Sequence, residues 1–363
     1  MKILYLSAAT IPSRTANSVH VMKMCQAFAR NGHRVLLLVP DREQTEAGVD
    51  DPFGFYGVEP GFELERLRKK RFVRRRSIIA SRLTRAGSDL IYARDHSLRF
   101  DLDALGPAVV LDAHKLVTDR NAERFVKLVR SGKLRRLVAN CGALGREYEC
   151  GFDIPGELIR VAHNGANEPA DTEPLELGSP GKLRVGYVGQ LYEGRGVETI
   201  ARIAARCPWA DFHLIGGTES DLGRWKDELA GRDNVFFHGF RPPAETDRYR
   251  QSMDVLLAPY QRVIRTAGGG TTDLRWMSPI KLFEYMAAGK AIIASDMEVI
   301  REVLTDRVTA RLCPPEDPES WIAALGRLRD DAELRAALGR SAQETFRAKH
   351  TWRARAETVL EGL

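Results

Sequence analysis

The chain has 363 residues, 44% hydrophobic and 29% charged, with a formal net charge of +6 at pH 7. This length favours two domains. The apolar run after Met1 is short and no later run reaches the roughly 20 apolar residues of a spanning helix, so neither a signal peptide nor a membrane span is expected. The five cysteines are widely spaced and form no C-x-x-C pair, which indicates reduced thiols and a cytoplasmic location.

In the first half of the chain, apolar runs that are typical of strands alternate with helical patterns. The runs are KILYLSA, RVLLLVP, DLIYA, AVVLDAH and RLVAN. A helix is expected near residues 18–31, with Asn17 or Ser18 as its N-cap and the glycine of NGH at its end. This βαβ rhythm predicts a mainly parallel sheet.

A Pro-, Gly- and acid-rich stretch, EPADTEPLELGSPG, follows HNGAN (163–167) and is interpreted as a linker. The rhythm then restarts with KLRVGYVG, ADFHLIGG, NVFFHG, DVLLAPY and AIIASD. The predicted fold is α/β, with two doubly wound Rossmann-like domains at 1–168 and 169–345. A C-terminal helix from about 346 to 363 is expected to pack back on the first. Such sheets bind ligands at the carboxyl ends of their strands, so an interdomain cleft is the expected site.

The segment SPIKLFEYMAAGKAIIASD, which begins at Ser278, has the features of an anion-binding helix start. Ser278 is expected to cap a helix with Pro279 at its first position. The free N–H groups near Ser278, Pro279 and Ile280 favour a diphosphate, and Lys281 adds a positive charge. Glu284, one turn further, is placed to accept both hydroxyls of a ribose. An ordinary capped helix with a surface Lys/Glu pair would show the same bare pattern.

Together with GYVGQLYEGRGVETI (186–200) and HNGAN (163–167), this segment resembles the retaining glycosyltransferases of family four, which have the GT-B fold. The resemblance covers nearly the whole chain. It implies transfer of a sugar from a nucleoside diphosphate sugar, UDP-sugar before GDP-sugar, to a hydroxyl acceptor with retention at the anomeric carbon. It implies that no metal ion and no other cofactor is needed. The glycine-containing segment 267–277 resembles a variant branch of this family.

The resemblance assigns the phosphates of the donor to a glycine-rich loop. Gly189 and Arg195 are expected beneath the phosphates, where Arg195 replaces the usual lysine. Gln190 stands where the family has a second cation, and Lys281 is expected to compensate. Without the family context, Arg195 would more often be a solvated loop residue.

The sugar and the base of the donor are assigned to other segments. The family has a glutamate eight positions before Glu284, but this chain has Trp276 there, so Asp273 or the backbone of the glycine loop is expected to hold the sugar. Gly216 is expected beneath the nucleotide, with Phe240 and Arg241 beside the base.

In the first domain, the resemblance implies that His114 at the end of AVVLDAH is catalytic and contacts the hydroxyls of the donor sugar. A lone histidine is otherwise more often structural. Arg14, Asn17 and His20, in the loop and helix after the first strand, are assigned to the acceptor. Asn17 serves equally well as a simple helix cap.

Two charged segments lead to further expectations. Residues 66–85 contain ten Lys/Arg and no acid, which suits an anionic membrane surface on the inner face of the membrane and a lipid-linked acceptor, but also an acidic ligand or a solvated helix face. A single Phe argues against nucleic acid. The D-x-D of Asp101 and Asp103 is rejected as a metal site, because cationic side chains and a helix N-terminus can neutralise phosphates.

Two other functions remain open at this point. A nucleotide-sugar epimerase of similar fold needs acid and base groups beside the sugar, for which only His114 and Asp112 are candidates. A non-catalytic nucleotide- or membrane-binding homologue is suggested by the residues that depart from the family pattern, Gln190 and Trp276.

Overall fold

The computed structural model divides the chain into two compact units, Met1–Asn164 with Trp352–Leu363, and Gly165–Thr351. The sequence prediction set this boundary after residue 168 and the start of the returning helix at about 346. The structure describes all residues except 43–45, 47, 69–74, 95–100, 170 and 266–270.

The first unit is built on a seven-stranded parallel sheet with the order β3-β2-β1-β4-β5-β6-β7. Its strands are β1 (Lys2–Leu6), β2 (Arg34–Asp41), β3 (Glu63–Arg68), β4 (Leu90–Arg94), β5 (Ala108–Ala113), β6 (Leu134–Ala139) and β7 (Ile159–Val161). Its helices are α1 (Ala16–Arg30), α2 (Pro52–Tyr56), α3 (Arg75–Ala86), α4 (Asp119–Arg130), α5 (Gly142–Phe152) and the last helix of the chain, Trp352–Leu360.

The second unit repeats this plan with a six-stranded parallel sheet and a short hairpin. Its strands are β8 (Leu183–Val188), β9 (Ala210–Ile215), β10 (Val235–Gly239), β11 (Val255–Ala258), β12 (Val263–Arg265), β13 (Thr271–Asp273), β14 (Ala291–Ser295) and β15 (Arg311–Cys313). The parallel sheet has the order β10-β9-β8-β11-β14-β15, and β12 pairs with β13 in an antiparallel hairpin. Its helices are α6 (Val197–Ala204), α7 (Glu219–Glu228), α8 (Thr246–Gln251), α9 (Ile280–Ala287), α10 (Glu298–Arg301), α11 (Pro318–Asp330) and α12 (Ala332–Lys349). The helix at Trp352–Leu360 is α13.

The central strands are buried at nearly every position, as expected of parallel strands with helices on both faces. The prediction of two doubly wound α/β sheets is therefore confirmed. In the described residues, no helix has both the length and the apolar character to span a membrane.

The last helix is held on the first unit by a buried arginine of the sheet. Arg136 in β6 donates hydrogen bonds to the carbonyl oxygens of Val359 and Glu361, at 3.0 and 2.8 Å. These carbonyls lie at the helix end, where no intrahelical donor is available to them. Arg136 thus caps α13 and joins it to the sheet of the first unit.

Two predicted helix starts are wrong in detail. The N-cap of α1 is Thr15, whose side chain accepts from the Ser18 amide, rather than Asn17 or Ser18. The N-cap of α9 is Pro279 rather than the predicted Ser278, and no side chain caps this helix. Ser278 therefore lies one residue before the N-cap. Helix α1 begins at Ala16, two residues before the predicted start near residue 18, and α9 begins at Ile280, one residue after the predicted start at Pro279.

Candidate functional site

In the second unit, the loop after β8 is tightly packed. A Cβ on Gly196 (φ +103°) would lie 2.1 Å from the carbonyl oxygen of Pro259. The carboxylate of Glu198 accepts from the amides of Gly194 and Gly196, at 2.9 and 3.1 Å. This glycine-rich loop is therefore closed by Glu198, and those two amides already have a partner. The side chain of Arg195 lies between these two glycines in the chain.

Arg195 and Lys281 each lie against two tyrosine rings, and they share one of them, Tyr260. The Lys281 Nζ is 3.7 Å from the ring centroid of Tyr187 and 5.1 Å from that of Tyr260. The Arg195 Cζ is 5.1 Å from the centroid of Tyr192 and 5.9 Å from that of Tyr260. Both cations therefore face aromatic rings, which attract them moderately.

Neither cation has a carboxylate ion pair within the described residues, and the Lys281 Nζ has no hydrogen-bond partner there. Lys281 is 8% exposed. Burial, followed by the charge of Arg195, lowers the pKa of Lys281 well below its ordinary value. Two adjacent basic groups that have no ion pair with a described carboxylate carry a desolvation cost that a bound anion would relieve. This pair is suited to an anionic ligand.

Glu284, one turn into α9, is held by an arginine that sequence reasoning missed. Arg250 in α8 lies with Nη1 3.3 Å from the Glu284 carboxylate and with Nη2 2.5 Å from that of Asp247. The Arg250 side chain is 4% exposed, whereas that of Glu284 is 26% exposed. Glu284 is thus oriented from its buried side and remains open to a ligand on the other.

The carboxyl ends of β8, β9 and β10 lie close together at one edge of the sheet. A Cβ on Gly216 (φ +120°) would lie 2.1 Å from the carbonyl oxygen of Gly189. The Gly216 amide donates to the Gly239 carbonyl at 2.8 Å. Phe240 follows β10 directly, and the Arg241 Cζ lies 5.6 Å from the Tyr249 ring centroid. The structure brings Gly189, Gly216, Phe240 and Arg241 to one edge of the sheet, and their role in a donor site stays a prediction.

The segment before α9 is described in part. Trp276 ends a short 3₁₀ helix at Leu274–Trp276. The backbone of Asp273 belongs to β13, but its side chain and the loop at 266–270 lie outside the described residues. The prediction that this segment holds the sugar therefore stays a prediction.

In the first unit, a buried polar cluster surrounds Asp112 near the end of β5. The Asp112 carboxylate accepts from the Tyr92 hydroxyl at 2.7 Å and from Nη2 of Arg355 at 2.9 Å. The Nε2 atoms of His20 and His114 lie 3.1 and 3.2 Å from it. Tyr92, Arg355, His20 and His114 thus converge on one carboxylate that is completely buried.

The cluster keeps its histidines neutral. Burial, then the charge of Arg94, lowers the pKa of His114 to about 4. The same two causes lower the pKa of His20 well below its ordinary value. For Asp112, burial acts to raise the pKa, but Arg355 and the two histidines outweigh it and the pKa lies well below the usual range. At neutral pH, Asp112 is a carboxylate beside two neutral imidazoles.

The predicted acceptor residues do not share one environment. Arg14 is exposed and pairs with Glu46 at 2.8 Å, whereas the Asn17 Oδ1 is buried without a hydrogen-bond partner in the described structure. His20 is 1% exposed and its Nδ1 lies 2.8 Å from Oδ1 of Asn164. With both ring nitrogens against protein groups, His20 does not fit direct contact with an acceptor, and its assignment is corrected to support of Asp112.

His20, Asp112 and His114 form the one group in the described chain with the spacing of metal ligands, their ligand atoms lying within 4.8 Å of one another. The guanidinium of Arg355 at 2.9 Å from Asp112 opposes a second cation there. The D-x-D residue Asp101 lies instead 3.5 Å from Arg124.

Comparison with known proteins gives these sites a family. Residues 182–331 match the family described as "Glycosyl transferases group 1", and residues 18–168 match "Glycosyltransferase Family 4". Both halves of the chain are therefore glycosyltransferase domains.

Curated relatives match part of the chain. A phosphatidyl-myo-inositol mannosyltransferase of Mycolicibacterium smegmatis is 33% identical over 178 residues, which are 47% of this chain and 42% of that protein. A D-inositol 3-phosphate glycosyltransferase of Corynebacterium urealyticum is 25% identical over 248 residues, 62% of this chain and 55% of that protein. The chain thus spans about half the length of these curated relatives.

Solved structures share the whole fold. Anabaena Alr3699/HepE in complex with UDP superposes with a TM-score of 0.73 at 16% identity, covering 99% of each chain. A glycosyltransferase from Rickettsia africae gives a TM-score of 0.75 at 13% identity, covering 100% of this chain and 99% of that one. The two Rossmann-like sheets thus form the GT-B fold, as the sequence predicted.

Proposed function

We propose that the protein transfers a sugar from a nucleoside diphosphate sugar, with UDP-sugar as the first expectation and GDP-sugar as the second, to a hydroxyl group, with retention and without a metal ion. The observation that carries this proposal is the pair of cations, Arg195 and Lys281, which face tyrosine rings rather than carboxylates. Negative charge grows on the diphosphate as the glycosidic bond breaks, and fixed cations stabilise it.

The neighbouring residues supply the rest of a donor site. Glu284, oriented by Arg250 at 3.3 Å, accepts the ribose hydroxyls. Backbone amides at the start of α9, near Ser278 to Ile280, add to the positive potential at the phosphates. Gly216, Phe240 and Arg241 border the nucleotide. A cation pair neutralises a diphosphate without a divalent ion, which is the physical reason to expect metal independence.

His114 is proposed to hydrogen-bond a substrate hydroxyl as a neutral imidazole. A pKa of about 4 makes it a weak base, so its role is to orient a substrate hydroxyl. This property also argues against the epimerase alternative, since proton abstraction from a sugar carbon needs a stronger base. Asp112, completely buried and bonded to Arg355, is equally unsuited.

Calorimetric titration with UDP, GDP, ADP and uridine, each with and without EDTA, tests the donor site. We expect UDP to bind most tightly, uridine weakly, and EDTA to change nothing. A chain that binds none of the diphosphates contradicts the proposal. Tight UDP binding without donor hydrolysis or transfer to any acceptor would favour the non-catalytic homologue, and an isomerised sugar nucleotide formed without acceptor would favour the epimerase.

A lipid-linked acceptor and peripheral membrane binding remain a proposal for the basic strip, residues 66–85. The strip is divided between β3 and α3, with 69–74 outside the described residues. Arg82 and Arg85 both bind the Glu65 carboxylate, which reduces the charge they present to lipid. Sedimentation with phosphatidylglycerol and phosphatidylcholine vesicles tests this, with residues 74–76 changed to serine as the variant. Equal recovery with both lipids would argue against membrane docking.

A further inference from the structure

Arg94, the last residue of β4, is a buried cation that the site described so far does not use. It is 9% exposed, and its Nη1 atom is buried with no hydrogen-bond partner among the described residues. Arg94 has no ion pair with any carboxylate in the described part of the chain. An arginine in this state carries a desolvation cost without the usual compensation.

The strand register places Arg94 beside the Asp112 cluster. Arg94 is the register partner of Asp112 in the parallel β4–β5 pair, and paired residues of neighbouring strands face the same side of the sheet. His114, two residues after Asp112, continues on that side. The charge of Arg94 acts on both His20 and His114, which agrees with this placement.

The only carboxylate in the cluster does not neutralise Arg94. The Asp112 carboxylate lies 2.9 Å from the guanidinium of Arg355 and accepts from Tyr92, and both neighbouring histidines are neutral. Among the described residues, the group around His114 thus contains two guanidinium groups, those of Arg94 and Arg355, and one carboxylate. The net charge of these described groups is about +1, which favours an anion.

We infer that Arg94 binds an oxyanion, a phosphate or a carboxylate, carried by the acceptor. The acceptor part of this inference rests on the proposed function, since it assumes that the substrate hydroxyl lies beside His114. A guanidinium presents its donors in a planar fork that matches two oxygens of such a group. The acceptor is then an anionic alcohol: a phosphorylated polyol, a lipid with a phosphate headgroup, or an acidic sugar.

The site can be tested without turnover. Inorganic phosphate is titrated into the full chain at constant ionic strength and in the presence of saturating UDP, while the histidine ring resonances are followed by NMR. We expect the His114 resonance to shift with phosphate. Arg94→Met should weaken phosphate binding by about tenfold or more and Arg94→Lys by about threefold. The control is Arg135→Met, which changes an exposed arginine of β6, two strands from β4 in the sheet, and should have no effect.

Each other result decides against part of the inference. The same titration without UDP separates the outcomes. Equal phosphate affinity in Arg94→Met and wild type, or a wild-type His114 resonance that does not shift with phosphate whether or not UDP is present, overturns the site. If phosphate shifts the His114 resonance without UDP but not with it, the oxyanion belongs to the donor and the acceptor assignment is wrong. UDP binding is measured in the same samples and tests the proposed function separately. A chain that binds UDP but not phosphate contradicts the oxyanion site at Arg94 and leaves the proposed donor site intact.

Two further comparisons identify the source of the oxyanion. Glycerol 3-phosphate should compete with inorganic phosphate at Arg94 and glycerol should not. If phosphatidylglycerol vesicles shift the His114 resonance where glycerol 3-phosphate does not, the acceptor phosphate is lipid-borne. If neither competes or shifts the resonance, the site binds inorganic anions only and the acceptor assignment fails.

Discussion

Arg355 in the last helix donates a 2.9 Å hydrogen bond from Nη2 to Oδ1 of Asp112, 243 positions earlier in the chain. Both side chains are nearly inaccessible to solvent, at 2% and 0% exposed. The same carboxylate contacts His114. The C-terminal helix therefore completes the first unit and also fixes the group that orients its predicted catalytic histidine.

Replacing Arg355 with methionine should destabilise the first unit by about 3–5 kcal/mol, because it leaves a buried carboxylate without its cation. Unfolding in urea, monitored by hydrogen exchange in peptides from the first unit, measures the loss in its free energy of unfolding. Arg353→Met is the matched control: it lies in the same helix but its side chain is 75% exposed, and it should change the free energy of unfolding by less than about 0.5 kcal/mol. Equal effects of the two variants would show that the Asp112 ion pair is not stabilising.

The low pKa of His114 predicts a stability that falls in acid. The folded pKa, about 4, lies below the ordinary 6.5, so the contribution of this histidine is complete above pH 6.5 and is lost as the pH falls toward 4. Between pH 8 and pH 5 the loss from His114 should be about 2 kcal/mol. His114→Gln should remove that part of the pH dependence. The ring resonance of His114 checks the cause directly, and a titration near pH 6.5 would contradict it.

The sequence predicted the parts of the fold and site that depend on local patterns. Apolar runs indicated the strands, and the segment from Ser278 indicated the helix that carries Lys281 and Glu284. Helix starts were displaced by one or two residues because several neighbouring residues can cap. Thr15 prevails over Asn17, since its hydroxyl reaches the Ser18 amide.

Long-range contacts could not be predicted in the same way. Arg353 and Arg355 occupy nearly identical positions in the sequence WRARAE, yet one is exposed and the other is buried against Asp112. Arg250 has no sequence feature that distinguishes it from the exposed Arg248 two residues earlier. The partner of each buried arginine is set by packing of distant elements, and a single sequence does not encode that packing in a readable pattern.

The cation pair predicts a selective loss of diphosphate binding. Lys281→Met and Arg195→Met should each weaken UDP binding by roughly tenfold or more, since each removes a charge-assisted contact to phosphate. Uridine, which carries no phosphate, should bind both variants as it binds the wild type. Calorimetry with UDP and uridine measures the two affinities. A parallel loss of uridine binding would indicate that the variants disturb the fold of the site rather than its charge.

A change at Glu284 should weaken the binding of uridine as well as that of UDP, unlike the changes at Lys281 and Arg195. Glu284→Gln should weaken UDP and uridine by a similar factor, roughly tenfold, because the ribose is common to both ligands. Arg250→Met should produce a smaller loss of the same kind, since Glu284 then lacks the contact at 3.3 Å that orients it. Deoxyuridine diphosphate provides the control: its affinity should depend less on Glu284 than that of UDP. If Glu284→Gln affects UDP and leaves uridine unchanged, the carboxylate does not bind the ribose.

Gly216 tests whether the close approach of strand ends is needed for the donor site. A methyl group at this position (φ +120°) would lie 2.1 Å from the Gly189 carbonyl oxygen, so Gly216→Ala should cost roughly 2–4 kcal/mol and weaken UDP binding. Gly223 in α7 has no atom within 4 Å of the added methyl group. Gly223→Ala should therefore stabilise the second unit by about 0.5–1 kcal/mol and leave UDP binding unchanged. Urea unfolding measures the stability of both variants, and titration measures their UDP affinity. If Gly216→Ala keeps the stability and the UDP affinity of the wild type, the donor site does not require this close approach of β8 and β9.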